Sequence, residues 1–590
     1  MSEIYLIGLS SIIILGVAAQ WIAWRFSLPS ILLLLVFGFI AGPATGFLDP
    51  ELLMGNLISP IVSISVAVIL FEGGMSLKIR ELKTVGSAVI NLITIGTVVT
   101  LACTAVASYY ILGFGVDISV LLGAIFVVTG PTVIIPLLRH VRPGKGVASI
   151  LRWEGIIIDS VGAMLSVLIY ESIIAGGSSA ASYITFGVIK TLVIGIALGI
   201  LGAALIVVFL NRYWIPDFLQ NSFSIMLVVM SFTISNLIQK ESGLLAVTVM
   251  GIVLSNQKYA DIKHIIEFKE NLRVLLISSL FIILSARIKL DQILSIGMKE
   301  FLFVAALVVI VRPASVFIAT INTNLKIKEK IFLSWMAPRG IVAAAIASIF
   351  SLHLAELGFS EAAQIVPVTF TVIILTVLFY GLTASPVARL LKISQSNPQG
   401  ILIAGGHNWA RSIAIALKKE KIHTILIDTN RENIYNARMN GIYAIYGNIL
   451  SEETKNKIEL EGIVRLMAIT PNDEVNSLAA MEYSEIFGRS EVYQLSGDEE
   501  KEESKDIPLH MQGRKLFGKN VTYSFLAERF AAGGKIYSMK LEQEKDAEKF
   551  KKDFPKAFIL FKINEDNEVI INTLDRQISL KPGHTIIYLN

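Results

Sequence analysis

Long apolar runs fill the first 392 residues of this 590-residue chain and limit what it can fold into. A helix that crosses a bilayer needs about 20 predominantly apolar residues. Thirteen runs approach this length, at residues 4–23, 29–47, 57–74, 86–112, 117–138, 147–175, 182–211, 221–238, 242–255, 271–286, 296–321, 330–352 and 364–390. Only 17% of the residues are charged, against about 25% in soluble domains. The sequence therefore predicts a polytopic α-helical membrane protein, with about thirteen spans in residues 1–392.

The basic residues between these runs indicate how the chain is oriented. Lys and Arg collect in the cytoplasmic loops of membrane proteins. Alternate loops are basic here, and the basic set comprises Arg25, Lys78, Arg80, Lys83, Arg139, Arg142, Lys145, Arg212, Lys258, Lys263, Lys269, Arg273, Lys326, Lys328 and Lys330. The opposite loops contain Lys240, Arg287 and Lys289. With thirteen spans, this alternation predicts a multi-pass inner-membrane protein with a cytoplasmic C-terminal part and an N-terminus on the opposite side.

The composition after residue 392 is that of a soluble protein. A polar linker at 393–399 is followed by residues 400–500, where short apolar strands alternate with helical stretches. Such alternation indicates a parallel sheet with crossover helices. Residues 533–590 contain short strands separated by turn signals. We therefore expect a Rossmann-like α/β domain at 400–500 and a small, β-rich α+β domain at 533–590.

Ionisable residues inside the predicted spans are the first candidates for function. Each costs at least ~2.5–3.5 kcal/mol, so such residues usually mark ion paths or pair with one another. Glu154 and Asp159 are separated by five positions, about 140° around a helix, and therefore point in different directions. We expect Asp159 to bind a cation when deprotonated and to release it when protonated. Glu154 is expected to pair with Arg339, because an uncompensated buried guanidinium is very costly.

Glu72 is a further candidate for the ion path. It ends the third span in the sequence Phe-Glu-Gly-Gly and adjoins a basic loop. For all three acids, an alternative interpretation is open: they lie near the cytoplasmic end of their helices and are simply hydrated.

The fifth span contains a helix break. Residues 128–136 include two prolines and a glycine, and each proline removes a backbone donor. Broken spans expose carbonyls and half-helix ends, which transporters use to coordinate cations near the midplane. Thr129 and Thr132 would add hydroxyl oxygens there. A simple proline kink is the alternative.

Together, these motifs resemble the cation:proton antiporters of the NhaP and sodium/proton exchanger class, over residues 1–390. The resemblance rests on Phe-Glu-Gly-Gly in span three, Thr-x-Pro in span five, Glu-x4-Asp in span six and Arg-Gly in span twelve. It implies an inverted-repeat fold with two crossing broken helices, and a homodimer with separate core and dimerisation parts. It also implies elevator-like alternating access, Asp159 as the carboxylate that binds the ion and the proton, Thr129 as a ligand, and a Glu154–Arg339 pair.

Two positions depart from that family's pattern. Relatives usually have Asn where this chain has Ile158, and many have Asp where it has Gly130. A single titrating carboxylate favours electroneutral exchange of one cation for one proton. The expected partners are Na⁺ or K⁺, H⁺ and membrane lipid, with no nucleic acid, no enzymatic activity, and a role in pH homeostasis.

The tail resembles the TrkA-N or RCK domains that regulate potassium channels and transporters. Their fingerprint, Gly-x-Gly-x-x-Gly, cradles a nucleotide pyrophosphate, but here His407 occupies the second glycine position and Ala410 the third. The candidate nucleotide-binding residues are Gly405, Gly406, His407, Asn408, Asp428 and Asn448. NAD(H), AMP or ATP would be a regulatory ligand. The alternative is a fold retained for dimerisation only. Residues 533–590 resemble the small RCK-C domain that often follows such modules.

Rival functions need features that the sequence lacks. A potassium channel gated by this tail would need a selectivity filter of the Thr-Val-Gly-Tyr-Gly type, and the sequence contains none. A membrane-anchored oxidoreductase would need an intact glycine fingerprint and a catalytic domain. Exchange of Na⁺ or K⁺ for protons is therefore the prediction, with an RCK-gated channel or passive cation pathway as the alternative.

Overall fold

The computed structural model divides into two units, Met1–Ser394 and Gln395–Asn590. The structure describes residues 2–26, 28–141, 143–174, 180–288, 297–359, 361–393, 398–458, 460, 462–497, 512–518, 521–555, 557–576 and 578–590. Residues 394–397 of the predicted linker lie outside the described part of the chain, as does most of the charged segment that follows residue 497.

The first unit is helical. Within the described residues its helices are α1 (Ser2–Phe26), α2 (Ser30–Phe39), α3 (Pro50–Met54), α4 (Ile58–Met75), α5 (Leu82–Ile93), α6 (Ile95–Ala107), α7 (Val116–Ile125), α8 (Pro131–Val141), α9 (Lys145–Ile174), α10 (Ala180–Asn211), α11 (Asp217–Ile238), α12 (Ser242–Asn256), α13 (Lys263–Ala286), α14 (Met298–Ala306), α15 (Arg312–Ala319), α16 (Ile327–Ser334), α17 (Ile341–Glu356) and α18 (Ala362–Leu390). Eight helical stretches in this described part are long and apolar enough to cross a membrane, and four more are apolar but shorter. The polytopic membrane architecture is thus present, while thirteen spans stay a prediction.

Two of the predicted spans are each divided into two half-helices by a stretch of five or six non-helical residues. The fifth becomes α7 and α8, separated by residues 126–130, and the twelfth becomes α16 and α17, separated by 335–340. Pro131 opens α8, a position where its fixed φ and missing N–H cost little. The break predicted in span five is confirmed. The break in span twelve was implied only by the family resemblance.

The two breaks cross each other at a pair of glycines. The backbone N–H of Gly130 donates to the carbonyl of Pro338 at 3.0 Å. A Cβ atom on Gly130 would lie 2.5 Å from the Cα of Gly340. No side chain fits at either position, so glycine is what allows the two backbones to come this close.

The second unit contains two sheets. Its described strands are β1 (Gly400–Ala404), β2 (Thr424–Asp428), β3 (Tyr443–Tyr446), β4 (Ile463–Ala468), β5 (Val492–Gln494), β6 (Arg514–Lys515), β7 (Ile536–Lys540), β8 (Phe558–Ile563), β9 (Val569–Ile571) and β10 (Thr585–Leu589). The first six form a parallel sheet in the order β3-β2-β1-β4-β5-β6, and the last four form an antiparallel sheet in the order β7-β10-β8-β9. The parallel α/β architecture predicted for the tail is confirmed.

Helices cover these sheets. In the described residues they are α19 (Asn408–Lys419), α20 (Arg431–Met439), α21 (Glu452–Lys457), α22 (Asp473–Phe487), α23 (Tyr523–Ala531) and α24 (Glu544–Asp553).

The predicted domain end at residue 500 is too early. Strand β6 lies beyond it and pairs with β5. Leu516 and Phe517 then join one hydrophobic core with residues of β8, and the Phe517 and Phe561 rings are 5.9 Å apart. The charged segment after residue 497 suggested a domain boundary because solvated charges usually mark one, but here the chain returns to the same core.

Candidate functional site

Asp159 lies on the face of α9 that packs against the break in span five. Residues 155, 159 and 162 are spaced by four and three positions and therefore share one face of a helix. A Cβ on Gly155 would lie 3.8 Å from Pro131 Cα, and a Cβ on Gly162 would lie 3.0 Å from the backbone N of Val128. Because Asp159 lies between these two glycines, it faces the extended backbone between Val128 and Pro131.

Three buried oxygens in this region have no hydrogen-bond partner among the described residues. They are Asp159 Oδ1, Thr129 Oγ1 and Thr132 Oγ1. Asp159 is 1% exposed, and both threonines are 4% exposed. Buried polar groups are nearly always paired in native proteins, so each exception needs an explanation. A carboxylate and two hydroxyls beside a broken helix are oxygen ligands of the kind that monovalent cations take.

Glu154 is paired, but not with the predicted arginine. Its carboxylate is bound in a bidentate manner by Arg312 of α15, with Arg312 Nη1 donating to Oε1 and Nη2 donating to Oε2 at 2.9 Å. Both residues are buried. The predicted Glu154–Arg339 ion pair is therefore wrong. Glu154 does have a charged partner, as expected from the high cost of a lone buried charge. The partner is Arg312 rather than Arg339.

Arg339 instead binds the broken helix. Its Nη1 donates to the carbonyl of Phe126 and, at 3.1 Å, to that of Val128, directly after the end of α7. The last carbonyls of a helix have no intrahelical donors and carry partial negative charge. A buried guanidinium is suited to satisfy several of them at once. Arg339 thus stabilises the crossing through the backbone of one half-helix.

Arg312 was missed by the sequence reasoning, although a signal for it was present. It is a charged residue inside the apolar run 296–321, and such a residue requires a partner. Its Nε also donates to the carbonyl of Leu333, near the end of α16, at 3.1 Å. Arg312 and Arg339 therefore each satisfy carbonyls at the broken end of a different half-helix.

Glu72 has a partner that was not predicted. Arg273 of α13 forms an ion pair with its carboxylate. The neighbouring Lys269 is buried, with its Nζ 3.4 Å from the centre of the Phe71 ring. The structure thus places Glu72 in a group of basic side chains from α13. The charge of Glu72 is therefore compensated by Arg273, and its role in the ion path stays a prediction.

The glycine turn after β1 has the backbone conformation of a dinucleotide-binding turn, and the predicted acid, Asp428, lies next to it. Gly405 follows β1 with a φ of +119°, in the region that favours glycine. A Cβ on Gly406 would lie 2.7 Å from the Leu426 side chain and 2.9 Å from Asp428 Cβ. The Asp428 carboxylate accepts hydrogen bonds from the backbone of Gly406 at 2.5 Å and of Asn430 at 2.7 Å, and from the Asn433 side chain at 3.0 Å. The Asp428 carboxylate is thus already hydrogen-bonded to the glycine turn, to the residue after β2 and to α20.

Aromatic rings fill the space beside this turn. The His407 ring is 4.1 Å from the Trp409 ring and 4.9 Å from the Tyr523 ring, measured between centroids. A Cβ on Gly405 would lie 3.2 Å from His407 Cε1. In the dinucleotide fingerprint, this is where the second glycine lets the backbone approach a pyrophosphate. The residues as arranged here do not fit a pyrophosphate at the turn.

Of the other two predicted nucleotide ligands, Asn448 is hydrogen-bonded within its own loop and Asn408 is exposed. The Oδ1 of Asn448 accepts from the backbone N–H of Leu450 at 3.0 Å within its own loop. Asn408 is exposed at the start of α19.

Residues 9–390, nearly two-thirds of the chain, match the family model of the sodium/hydrogen exchanger, transmembrane. The chain belongs to the sodium/hydrogen exchanger family. Residues 401–505 of this exchanger match the TrkA-N domain. The family and the tail domain predicted from the sequence are both confirmed, and the family contains antiporters rather than channels.

The exchanger is similar to antiporters with different named cations. The K(+)/H(+) antiporter NhaP of Alkalimonas amylolytica is 27% identical over 395 residues, which cover 66% of this chain and 67% of that protein. Na(+)/H(+) antiporter 1 of Methanocaldococcus jannaschii is 27% identical over 380 residues, covering 60% and 84% respectively. The solved structure of the sodium proton antiporter MjNhaP1 from the same organism at pH 8 gives a TM-score of 0.59 at 24% identity, covering 66% of this chain and 99% of that one. That likeness supports the membrane fold.

Two cavities of the exchanger lie towards opposite ends of α9. One, of about 650 Å³, is lined by residues that include Val167 and Glu171, and the other, of about 370 Å³, is lined by residues that include Ala148 and Arg152. At 1.5 Å per residue, Val167 and Arg152 lie about 12 Å and about 10 Å from Asp159 along the helix axis, in opposite directions. Asp159 is thus roughly midway between the two cavities.

Close packing separates the cavities at the level of Asp159. A Cβ on Gly73 of α4 would lie 3.4 Å from the Ile156 side chain. The hydroxyls of Ser160 and Thr248, on α9 and α12, are 3.4 Å apart. These contacts close the seam between α9 and its neighbours, and Asp159 is consequently buried from both sides.

Proposed function

We propose that this protein is a secondary antiporter that exchanges Na⁺ or K⁺ for protons at Asp159. The observation that carries this proposal is the buried Asp159 carboxylate, which has an unpartnered oxygen and faces the crossing of two broken helices. A permanently unsatisfied buried carboxylate would be costly. Either a bound cation or a bound proton satisfies it, so the two ligands compete for one site.

The chemistry follows from that competition. When Asp159 is deprotonated, its carboxylate and the hydroxyls of Thr129 and Thr132 provide oxygens for a dehydrated cation. When it is protonated, the negative charge is gone and the cation leaves. The neighbouring Ile158 is buried and carries no charge. With one titrating carboxylate, each cycle moves one charge in each direction, and exchange is therefore electroneutral.

The two cavities support alternating access. In this arrangement, each cavity stops about two helical turns from Asp159. Movement of α9 and the crossing past α4 and α12 would open one side and then the other. The paired Glu154 and Arg312, and the contacts of Arg339 with the broken helix, would hold α9 and the crossing together during that movement.

The cation is either Na⁺ or K⁺. The named relatives include a K(+)/H(+) antiporter and a Na(+)/H(+) antiporter at the same identity, so similarity favours neither. Hydroxyl and carboxylate oxygens accept both ions.

We further propose a homodimer in the inner membrane with a cytoplasmic tail that regulates exchange. The basic loops of the sequence support that orientation. The match to the TrkA-N domain supports the regulatory role of the tail. A regulatory nucleotide is part of this expectation, and the closed glycine turn limits how it can bind.

Proton flux in proteoliposomes tests the exchange. A pH-sensitive dye would report dissipation of a preset pH gradient after addition of Na⁺, K⁺ or Li⁺ across a pH series. We expect cation-dependent dissipation by the parent protein and its loss, by about 100-fold or more, in Asp159→Asn, because an amide carries no exchangeable charge. Asp117→Asn is the matched control, since Asp117 is exposed at the start of α7.

A potential-sensitive dye in the same vesicles tests electroneutrality. We expect no potential to develop during exchange. Undiminished exchange by Asp159→Asn would refute the proposed site. Passive K⁺ conductance without proton movement would refute antiport and favour a channel.

A further inference from the structure

We propose that Tyr523 and His407 close the glycine turn of the tail, so that docking of α23 and binding of a nucleotide phosphate at this turn exclude each other. The inference concerns the second unit alone and does not depend on the proposed exchange. It accounts for the poor fit between the fingerprint position of His407 and a pyrophosphate.

The closure is made by residues from two distant parts of the sequence. His407 and Trp409 lie at the start of α19, and Tyr523 opens α23, more than a hundred residues later. The Tyr523 ring is 4.9 Å from the His407 ring and 5.7 Å from the Trp409 ring. At the other end of α23, the Phe530 ring stacks on Trp409 at 6.4 Å. Thus α23 is anchored at both ends on the same tryptophan.

The acid is bonded to the same glycine turn that the rings close, because the Asp428 carboxylate accepts from the backbone N–H of Gly406 at 2.5 Å. The Tyr523 ring packs on His407, whose Cε1 lies 3.2 Å from where a Cβ on Gly405 would be, and the next residue, Gly406, donates to Asp428. Burial and then the charge of Asp428 also raise the pKa of Tyr523. Asp428 ends β2, where an acid in this fold reaches the ribose of a bound dinucleotide. Here its oxygens accept from the turn. A nucleotide would have to displace the Tyr523 ring before it reached the glycine turn and the acid bonded to it.

The groups beneath the rings retain chemistry suited to an anion. Arg411 Nη1 donates to the carbonyl of Gly406 at 2.7 Å and to Asn433 at 3.1 Å, which fixes a guanidinium beside the turn. The N-terminus of the twelve-residue helix α19 also points to this place, and helix N-termini favour negative charge. Since His407 and Tyr523 occupy the approach, this anion-binding chemistry is present but covered.

Nucleotide binding to the purified full-length protein tests the inference. The probes are NAD⁺ and AMP, measured by calorimetry in detergent. The opened variant is His407→Gly with Tyr523→Ala, which restores the second fingerprint glycine and removes the covering ring. We expect this double variant to bind at least one of the two probes about tenfold or more tightly than the parent.

Two further variants serve as controls. Tyr523→Phe keeps the ring and should bind like the parent. Tyr537→Ala removes a tyrosine that stacks on Tyr588. Both tyrosines lie in the antiparallel sheet, so this variant should also leave binding unchanged. Circular dichroism of each variant verifies that the tail is folded.

Two results would overturn the proposal. One is tight binding by the parent that the double variant does not improve, which would mean that the rings do not obstruct the site. The other is a folded double variant that gains no affinity for either probe, which would mean that something other than these rings excludes the nucleotide.

Discussion

Asp159 in the membrane unit and Asp428 in the tail are both acids at the site expected for a ligand, yet their surroundings differ. Asp159 is buried, and its Oδ1 has no partner in the described part of the chain. Asp428 accepts hydrogen bonds from Gly406, Asn430 and Asn433, and the His407 and Tyr523 rings pack beside the same glycine turn. The first site is incomplete without a ligand, whereas the second is complete without one.

The two acids differ in whether their carboxylate oxygens already have hydrogen-bond partners. A buried polar oxygen without a partner costs free energy, and a ligand that supplies the missing interaction recovers it. An acid that is already satisfied gains little from a ligand and must first lose its existing bonds. This contrast is consistent with the proposals that Asp159 exchanges a cation for a proton and that α23 closes the tail site.

The largest effect is expected within α9 itself. There the Glu154 carboxylate is hydrogen-bonded to Arg312, whereas Asp159 Oδ1 has no partner among the described residues. We expect Glu154→Gln to lower the free energy of unfolding by about 3–5 kcal/mol, because it leaves the buried Arg312 uncompensated. Asp159→Asn should leave the unfolding free energy within about 1 kcal/mol of the parent or raise it, since it removes a buried charge without a partner. Thermal and denaturant unfolding in detergent would measure both.

A double-mutant cycle checks which arginine Glu154 depends on. Coupling between Glu154→Gln and Arg312→Met should reach about 2–3 kcal/mol, and coupling between Glu154→Gln and Arg339→Met should be clearly smaller. Equal coupling to both arginines would contradict the pairing described for Glu154.

The second test removes one unpartnered hydroxyl from the membrane site. Thr129→Val should raise the apparent KM for the transported cation about fivefold to tenfold, because one polar contact contributes roughly 1–1.5 kcal/mol. Thr129→Ser retains the hydroxyl and should remain close to the parent. Cation titrations of dye-reported proton flux would give these values.

A threonine that is already satisfied provides the matched control. The hydroxyl of Thr369 on α18 donates to the carbonyl of Ile365 at 2.7 Å. Thr369→Val should therefore leave the apparent KM unchanged. A similar rise in both valine variants would mean that packing, rather than a lost ligand, explains the effect.

The third test weakens the satisfied acid in the tail. Asp428→Asn keeps the shape and one acceptor oxygen, but it loses the charge that strengthens the bonds from Gly406 and Asn430. We expect the tail to lose about 1 kcal/mol of stability, as measured by unfolding of the full-length protein monitored by tail-specific hydrogen exchange. A loss confined to the membrane unit would contradict this assignment.

A further expected effect is a pH dependence of the stability of the tail, through His407 in the aromatic cluster. Burial lowers the pKa of His407 to about 4, below the ordinary value of about 6.5. Between these values the unfolded tail binds more protons than the folded tail, so stability falls as pH decreases from about 6.5 to about 4 and is constant above that range. His407→Phe should flatten this part of the profile. Hydrogen exchange in α23 at several pH values would detect it.

Local features of the sequence predicted much of the architecture and part of the site. Proline and glycine act on their own turn of the chain, so the break in span five was readable from residues 128–136. Alternating strands and helices predicted the parallel sheet. The motif that contains Asp159 selected the family, which the match over residues 9–390 confirmed.

The partners and the domain end that were not predicted correctly all involve contacts between residues distant in sequence. Arg312 is 158 residues from Glu154, and Arg273 is 201 residues from Glu72. Strand β6 follows a charged segment that resembles a boundary, yet it pairs with β5. In each case the sequence showed that a group needed a partner or a core, but helix packing and sheet pairing selected which one.

The sequence by itself determined that the chain is built for a membrane, that its fifth span is broken and that ionisable residues lie within the apolar runs. Hydrophobicity and backbone conformation are properties of short segments, which explains why these conclusions needed no tertiary information. The tertiary structure alone decided that Arg312 neutralises Glu154, that Arg339 binds freed carbonyls and that Tyr523 packs on His407 and Trp409 beside the glycine turn. Those contacts join segments far apart in the chain, and their energies depend on distances that only the packed structure sets.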